Sequence, residues 1–189
     1  NNLSKNKKEK LVRKYYENKI LLEKIDAQYN VDSKILAALW GIETSYGSYL
    51  GKFDILSSLT SLAYDGRRRN FFLKQLRYAL KILEAGHISK SQFKGSWAGA
   101  FGQTQFMPST FINYAVDFNK DGKIDLLNSK EDALGSAANY LSKIGWNNEL
   151  KWGEEVFPII SKNNDLKDLF KKKTFKNKME WNELGVKLK

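Results

Sequence analysis

A chain of 189 residues, 42% hydrophobic and 13% aromatic, has enough apolar surface for a core of its own and fits one domain, or one with a small appendage. The absence of cysteine excludes a disulfide framework, thiol catalysis and a thiolate metal site, without fixing a compartment. A net charge of +11 favours anionic partners. Much of it lies in the runs KNKKEK and KKKTFKNK, which read as solvated surface, and with no nucleic-acid motif beside them nucleic acid is not an expected partner.

Residues 1–10 are expected to be disordered, and a helix to run from about Leu11 to Tyr29. Asp32 or Ser33 can cap the next helix, which is expected to end near Gly47. In it Ile35, Leu39, Ile42 and Tyr46 form one apolar stripe at helical spacing, and Leu36, Trp40, Glu43 and Gly47 form the stripe beside it. Asp54 can cap ILSSLTSLAY, and a longer helix runs from about Arg68 to Glu84 before Gly86. The single His87 then reads as a helix-end capping side chain rather than a catalytic one. After the glycine-rich GSWAGAFGQTQFMP, Pro108 opens a short helix to Tyr114. Following an acidic turn, Ser129 opens a last helix that Gly145 stops. Beyond Trp146 the composition changes. KWGEEVFPII suits a short strand and DLKDLFKKK a short helix. No run can span a bilayer, no signal peptide is visible, and a chain without an initial Met reads as mature or trimmed.

Three constellations carry chemistry. Glu43 lies on the apolar shoulder of its helix, where a carboxylate must be paired, protonated or exposed in a cleft. Desolvation favours the neutral form of a carboxylate, which suits a general acid. The alternative is a structural glutamate bonded to backbone or to an arginine. The glycine-rich stretch mixes hydroxyl and amide side chains with Trp97, Phe101 and Phe106, a set suited to hydrogen-bonding and stacking on sugars; the alternative is an ordinary loop tethered by its aromatics. In DFNKDGKIDLLNSKED, Asp117, Asn119 and Asp121 fall at positions 1, 3 and 5 of an EF-hand-type calcium loop, Gly122 at 6 and Ile124 at 8, with Lys123 offering its carbonyl. Position 12 is Asn128 rather than Glu, so the closing carboxylate has to come from Glu131 or Asp132. Without metal, the same residues make a polar Asx-type turn and Asp132 a partner of the Ser129 cap.

GIETSYG, then GSWAGAFGQTQFMPSTFINYAVDFNKDGKIDL, then GSAANYLSKIGW, resemble the lytic murein transglycosylases of the membrane-bound B type and its soluble form, over about residues 31–146, with a weaker match at EWNELGVK. The resemblance implies a mainly α, lysozyme-like helical core at 31–146, preceded by a helical segment at 1–30 and followed at 147–189 by a small α/β appendage. It implies an enzyme of the periplasm or cell envelope, monomeric, with a lipid anchor conceivable in the full-length protein, acting on peptidoglycan glycan strands. Such enzymes cut the bond between N-acetylmuramic acid and N-acetylglucosamine and leave 1,6-anhydro ends. The family's acid/base falls on Glu43, its substrate contacts on Ser96, Gln105, Phe106 and Tyr140, and its calcium loop on Asp117, Asn119, Asp121, Lys123 and Asp132. This chain has one residue more before its last motif, which also makes Glu131 a candidate for the final ligand. It stops at Lys189, before a segment that adds cleft residues in the family; either the protein is truncated or its cleft is more open there. Two other readings remain: a muramidase that uses water at the same bond, and a non-catalytic module that binds peptidoglycan or another polyanion.

Overall fold

The computed structural model describes residues 4–150, 153, 155–158 and 176–188. The chain divides into two compact units, 1–148 and 149–189.

The first unit opens with α1 (Lys5–Glu17) and α2 (Lys19–Tyr29). Residues 5–10, expected to be disordered, are thus helical. Exposed i,i+4 pairs, Lys5–Glu9 and Arg13–Glu17, support this solvated helix. Leu11 and Tyr15 pack it onto the core behind it. The single helix expected from Leu11 to Tyr29 is broken at Asn18, whose φ of −119° leaves the helical region. Asn18 bonds its own amide to the Lys14 carbonyl (2.9 Å) and accepts from Lys130 Nζ (2.8 Å), so a contact from 112 residues away holds the break.

Helix α3 (Ser33–Thr44) is capped by Asp32, which accepts from the Lys34 N–H at 2.8 Å. It ends three residues short of Gly47. Ser45, Tyr46 and Gly47 follow, all with left-handed φ of 53°, 67° and 74°. A two-residue strand β1 (Phe53–Asp54) leads into α4 (Ile55–Asp65), where Asp54 accepts from the Ser57 N–H at 2.7 Å, the cap the sequence indicates. Helix α5 (Arg69–Glu84) follows, then a 3₁₀ turn and β2 (Lys94–Gly95), which pairs antiparallel with β1 in the register Phe53 to Gly95. Pro108 opens α6 (Pro108–Tyr114), and Ser129 caps α7 (Lys130–Lys143).

Two hydrophobic clusters fill this unit. Ile55, Leu59, Ile82, Phe93, Phe101, Phe106 and Phe111 make one, over α4, α5 and α6. Leu22, Ile25, Leu36, Trp40 and Phe118 make the other, over α2 and α3. Helix α7 feeds both, with Ala133 in the first and Leu134, Ala137 and Ala138 in the second, and every residue from Asp132 to Ala138 is buried.

The second unit contains β3 (Val156–Pro158), inside the expected strand, paired antiparallel with β4 (Val186–Leu188). Helix α8 (Lys178–Glu183) precedes β4 with a full capping box, Asn177 against Glu180. The helix expected at DLKDLFKKK lies outside the described residues.

The Ser57 N–H bonded to Asp54 holds that carboxyl below the usual aspartate range. Its stabilisation is therefore present above that range and lost as pH falls through it. Asp54→Ala should cost about 1 kcal/mol at neutral pH, lowering the melting temperature by roughly 2–4 °C. Calorimetry across pH should show the gap between wild type and variant closing in acid.

Candidate active site

The buried face of α3 consists of Ser33, Leu36, Ala37, Trp40 and Thr44. The stripe with Ile35, Leu39 and Ile42 is the outer one, and Ile42 is 74% exposed. Glu43, in the last helical turn, is itself exposed. That corrects the expectation of a carboxylate buried on an apolar shoulder: the helix ends at Thr44, and the side of its final turn that carries Ile42 and Glu43 is exposed. Glu43 instead forms part of the wall of a cavity of about 570 Å³ between the last turn of α3 and one face of α1, with Lys7, Lys8, Lys10, Ile42, Tyr46 and Tyr49 also in its lining.

The wall is held rigidly. Tyr46 folds back over Gly41, where a Cβ would stand 2.5 Å from its hydroxyl oxygen, and its ring meets Trp40 edge to face at 5.5 Å. Burial pushes the Tyr46 hydroxyl up, so it stays neutral and able to donate. Lys10 bonds Ser45 Oγ at 2.6 Å and lies over the Tyr46 ring at 5.4 Å. Gly47 needs its positive φ and its missing side chain, because a Cβ would come within 2.7 Å of Gln103 Oε1.

Gln103 is the side chain that sequence reasoning passed over. Its Oε1 accepts from Trp40 Nε1 at 3.0 Å, its Nε2 donates to the Leu127 carbonyl at 3.3 Å, and its own carbonyl accepts from Thr44 Oγ1 at 2.6 Å. Thr44 Oγ1 in turn accepts from the Gly47 N–H at 3.0 Å. The residue after Glu43 is thereby bolted to the glycine-rich loop. The signal for this was available in the spacing of four from Trp40 to Thr44, which puts a hydroxyl on the buried face.

The other expected contacts do not line the cavity. Ser96, half-buried, spends its Oγ on the Ala100 N–H (3.0 Å) and closes its own loop. Gln105, at a left-handed φ of 51°, donates to the carbonyls of Leu50 (3.2 Å) and Gly102 (3.0 Å), tying the glycine-rich loop to the segment after α3. Phe106 is 6% exposed and packs against Tyr140 at 5.9 Å, which meets Tyr114 at 5.1 Å. Trp97, by contrast, is 65% exposed on the same loop as Ser96.

In the acidic turn, Asp117 accepts from the N–H groups of Asp121 (3.2 Å) and Gly122 (2.8 Å), Asn119 from that of Asp121 (3.1 Å), and Asp121 from that of Lys123 (2.9 Å). This leaves the half-buried Asp117 carboxylate with the exposed Asp121 carboxylate and Asn119 amide oxygen on a preformed turn, an all-oxygen donor set that fits a hard cation such as calcium. Asp132 sits at the start of α7. It is fully buried, taking the N–H groups of Phe118 (2.9 Å), Asn119 (3.4 Å) and Asp125 (2.9 Å). Burial pushes its carboxyl up, against the pull of those donors. Among the described residues no three Asp, Glu or His side chains converge as a metal cluster. Glu131, the other candidate, is half-buried at the start of α7. His87 does not cap its helix; Nδ1 accepts from the Ile124 N–H at 3.3 Å and pins the far end of this turn.

A mainly helical, lysozyme-like unit with a lone glutamate at a cavity and an acidic turn behind it defines a class, and the comparisons give the family. The whole chain, residues 1–189, matches the family described as Transglycosylase SLT domain, and it belongs to that family. It is 40% identical over 119 residues to membrane-bound lytic murein transglycosylase B of Escherichia coli (strain K12), covering 62% of this chain and 33% of that protein. The structure of SltB3 from Pseudomonas aeruginosa in complex with NAG-NAM-pentapeptide superposes with a TM-score of 0.84 at 42% identity, over 95% of this chain and 47% of that one. The Escherichia coli lytic transglycosylase Slt35 in complex with calcium superposes with a TM-score of 0.83 at 27% identity, over 99% of this chain and 58% of that one. The chain thus spans between a third and three fifths of the length of these relatives. Among the described residues no helix is long and apolar enough to cross a membrane.

Gln103→Leu keeps the volume but strands the buried Trp40 indole N–H. It should cost about 1–3 kcal/mol. The denaturant midpoint should fall at unchanged m-value, and the near-ultraviolet circular dichroism of Trp40 should change.

Proposed function

We propose that the chain is the catalytic part of a lytic transglycosylase of the cell envelope, acting as a monomer, that cleaves the MurNAc–GlcNAc β-1,4 bond of peptidoglycan and leaves 1,6-anhydro-MurNAc ends. One observation carries this reading: among the described residues, Glu43 is the one carboxylate lining the cavity. Hydrolysis with two carboxylates needs a second one about 5–10 Å away, to activate water or form a glycosyl-enzyme. A single acid suffices when the sugar supplies its own nucleophile. Glu43 gives its proton to the glycosidic oxygen, the muramoyl N-acetyl group steadies the cation at C1, and Glu43 then takes the proton of the C6 hydroxyl as the anhydro ring closes. Glu43 is exposed in the free protein, and an entering glycan strand displaces water from around it. Supporting this reaction, SltB3 at 43% identity is also known in complex with NAG-anhNAM-pentapeptide.

Ser96, Gln105, Phe106 and Tyr140 belong to this reading as the frame of the strand-binding face. Calcium belongs to it as a structural ion held by Asp117, Asn119, Asp121 and the Lys123 carbonyl, with Asp132 closing the loop through its remaining lone pairs. When bound, the ion neutralises the turn's carboxylates and stiffens the segment between α6 and α7.

General acid–base assistance is worth roughly 10²–10⁴-fold. Glu43→Gln should therefore lose at least that factor on purified sacculi while its melting curve stays near wild type. Products from wild type should carry the anhydro mass, one water lighter than hydrolysed ends; a digest dominated by the heavier mass makes the chain a muramidase, and no digestion at all makes it a binding module. Calcium should raise the melting temperature, because only the folded turn offers the ligand set, and Asp121→Ala should abolish the rise; identical curves with calcium and chelator would leave the turn merely polar.

A further inference from the structure

Helix α5 turns a separate surface to solvent. Its buried side consists of Gln75, Ala79 and Ile82, with the partly buried Phe72 and Leu76 beside them. On the opposite side Asn70, Lys74, Arg77 and Lys81 follow one another at helical spacing, so they form one exposed row. Arg67, Arg68 and Arg69, all exposed, fill the turn from which that row starts. Little opposes this charge. From Ile55 to Glu84 the sequence has six cationic residues and two acidic ones. Of the acids, Asp65 pairs with Arg67 at 3.1 Å, and Glu84 stands at the far end of the helix. Helix α6, which packs against α5, carries no charged residue. Among the described residues Arg69, Lys74 and Arg77 form no ion pair. Arg68 lies over the Phe71 ring at 4.2 Å, and Lys81 over that of Tyr78 at 6.0 Å.

Apolar side chains are interleaved with these cations. Tyr64, in the last turn of α4, is 90% exposed, Leu80 51% and Phe71 36%. A soluble polyanion uses the charges and leaves such side chains idle. A bilayer interface uses both, taking cations at the headgroup phosphates and aromatic or aliphatic side chains at the acyl boundary beneath them. We infer that the outer face of α5, with the turn before it, docks the chain onto a membrane surface that contains anionic phospholipid. The contact is made by the face of a folded helix lying along the interface, so it needs neither a spanning helix nor an attached lipid. It is independent of the reaction at Glu43. No residue of α4 or α5 lines the Glu43 cavity, so docking uses none of its wall.

The test is co-sedimentation of the purified chain with vesicles of phosphatidylglycerol in phosphatidylcholine, and with vesicles of phosphatidylcholine alone. Wild type should bind the anionic vesicles and not the neutral ones, and the binding should weaken between low salt and about 0.5 M salt as the charges are screened. K74Q/R77Q should lower the partition coefficient about ten- to thirtyfold. The control K34Q/K143Q, which removes the same charge from exposed positions on α3 and α7, should stay close to wild type. Y64S/L80S, which leaves every charge in place, should lower the coefficient about three- to tenfold. Equal losses in K74Q/R77Q and K34Q/K143Q make the binding a matter of net charge and overturn the inference, as does a wild type that ignores anionic vesicles. Wild-type binding by Y64S/L80S makes the face a site for polyanions rather than for a membrane, and overturns it too.

Discussion

The hydrogen bonds of Gln103 hold together everything else described at the site. One amide joins the indole of Trp40 on α3, the Leu127 carbonyl at the exit of the acidic turn, and the glycine-rich loop from which it springs. Its backbone adds a bond from the Gln103 N–H to the Leu126 carbonyl (2.8 Å) and the acceptor for Thr44. The three motifs that are far apart in the chain meet at this one buried side chain. Its partners are polar and buried, so the cluster is cheap only when complete, and removing a member leaves another unsatisfied. That is why Glu43, though exposed, still occupies a defined position: the residue next to it cannot move independently of the loop.

Local signals in the sequence were reliable where the physics is local. Asp32, Asp54 and Ser129 cap because a short side chain reaches an N–H two or three residues on, and Pro108 starts a helix because its missing N–H is not needed there. What the pattern could not show was which stripe faces a neighbour. Ile42 and Glu43 sit at helical spacing from buried residues, yet their side of the last turn of α3 stays exposed. The break at Asn18 was invisible for a related reason, since its partner Lys130 is on another helix. Between two glutamines in the same loop, the one with the buried role could be chosen only by knowing where Trp40 lies. Disorder at 5–10 was read from charge alone, whereas Leu11, Tyr15 and the bond from Lys10 to Ser45 recruit that stretch into the fold.

The acidic turn and the cavity are two ends of one mechanical path. Asp132 fastens the turn to α7 from below, and His87 holds its far end at Ile124. Leu126 and Leu127 then hand over to Gln103. A cation gripped by the outward-facing donors would stiffen the stretch whose far end positions α3. This gives a structural ion a route to the cavity without any part in the chemistry there.

Helix α7 lies last among the long helices of the first unit and supplies a wall to both of its hydrophobic clusters. A chain emerging from the ribosome therefore presents the apolar faces of α2 and α3 well before the element that covers them exists. From Thr44 to Lys143 is about 100 residues, so at synthesis rates of about 5–20 residues per second these faces wait roughly 5–20 s for their lid. Folding of the unit therefore has to wait for α7. The nascent chain is a natural client for any factor that shields apolar surface during that interval.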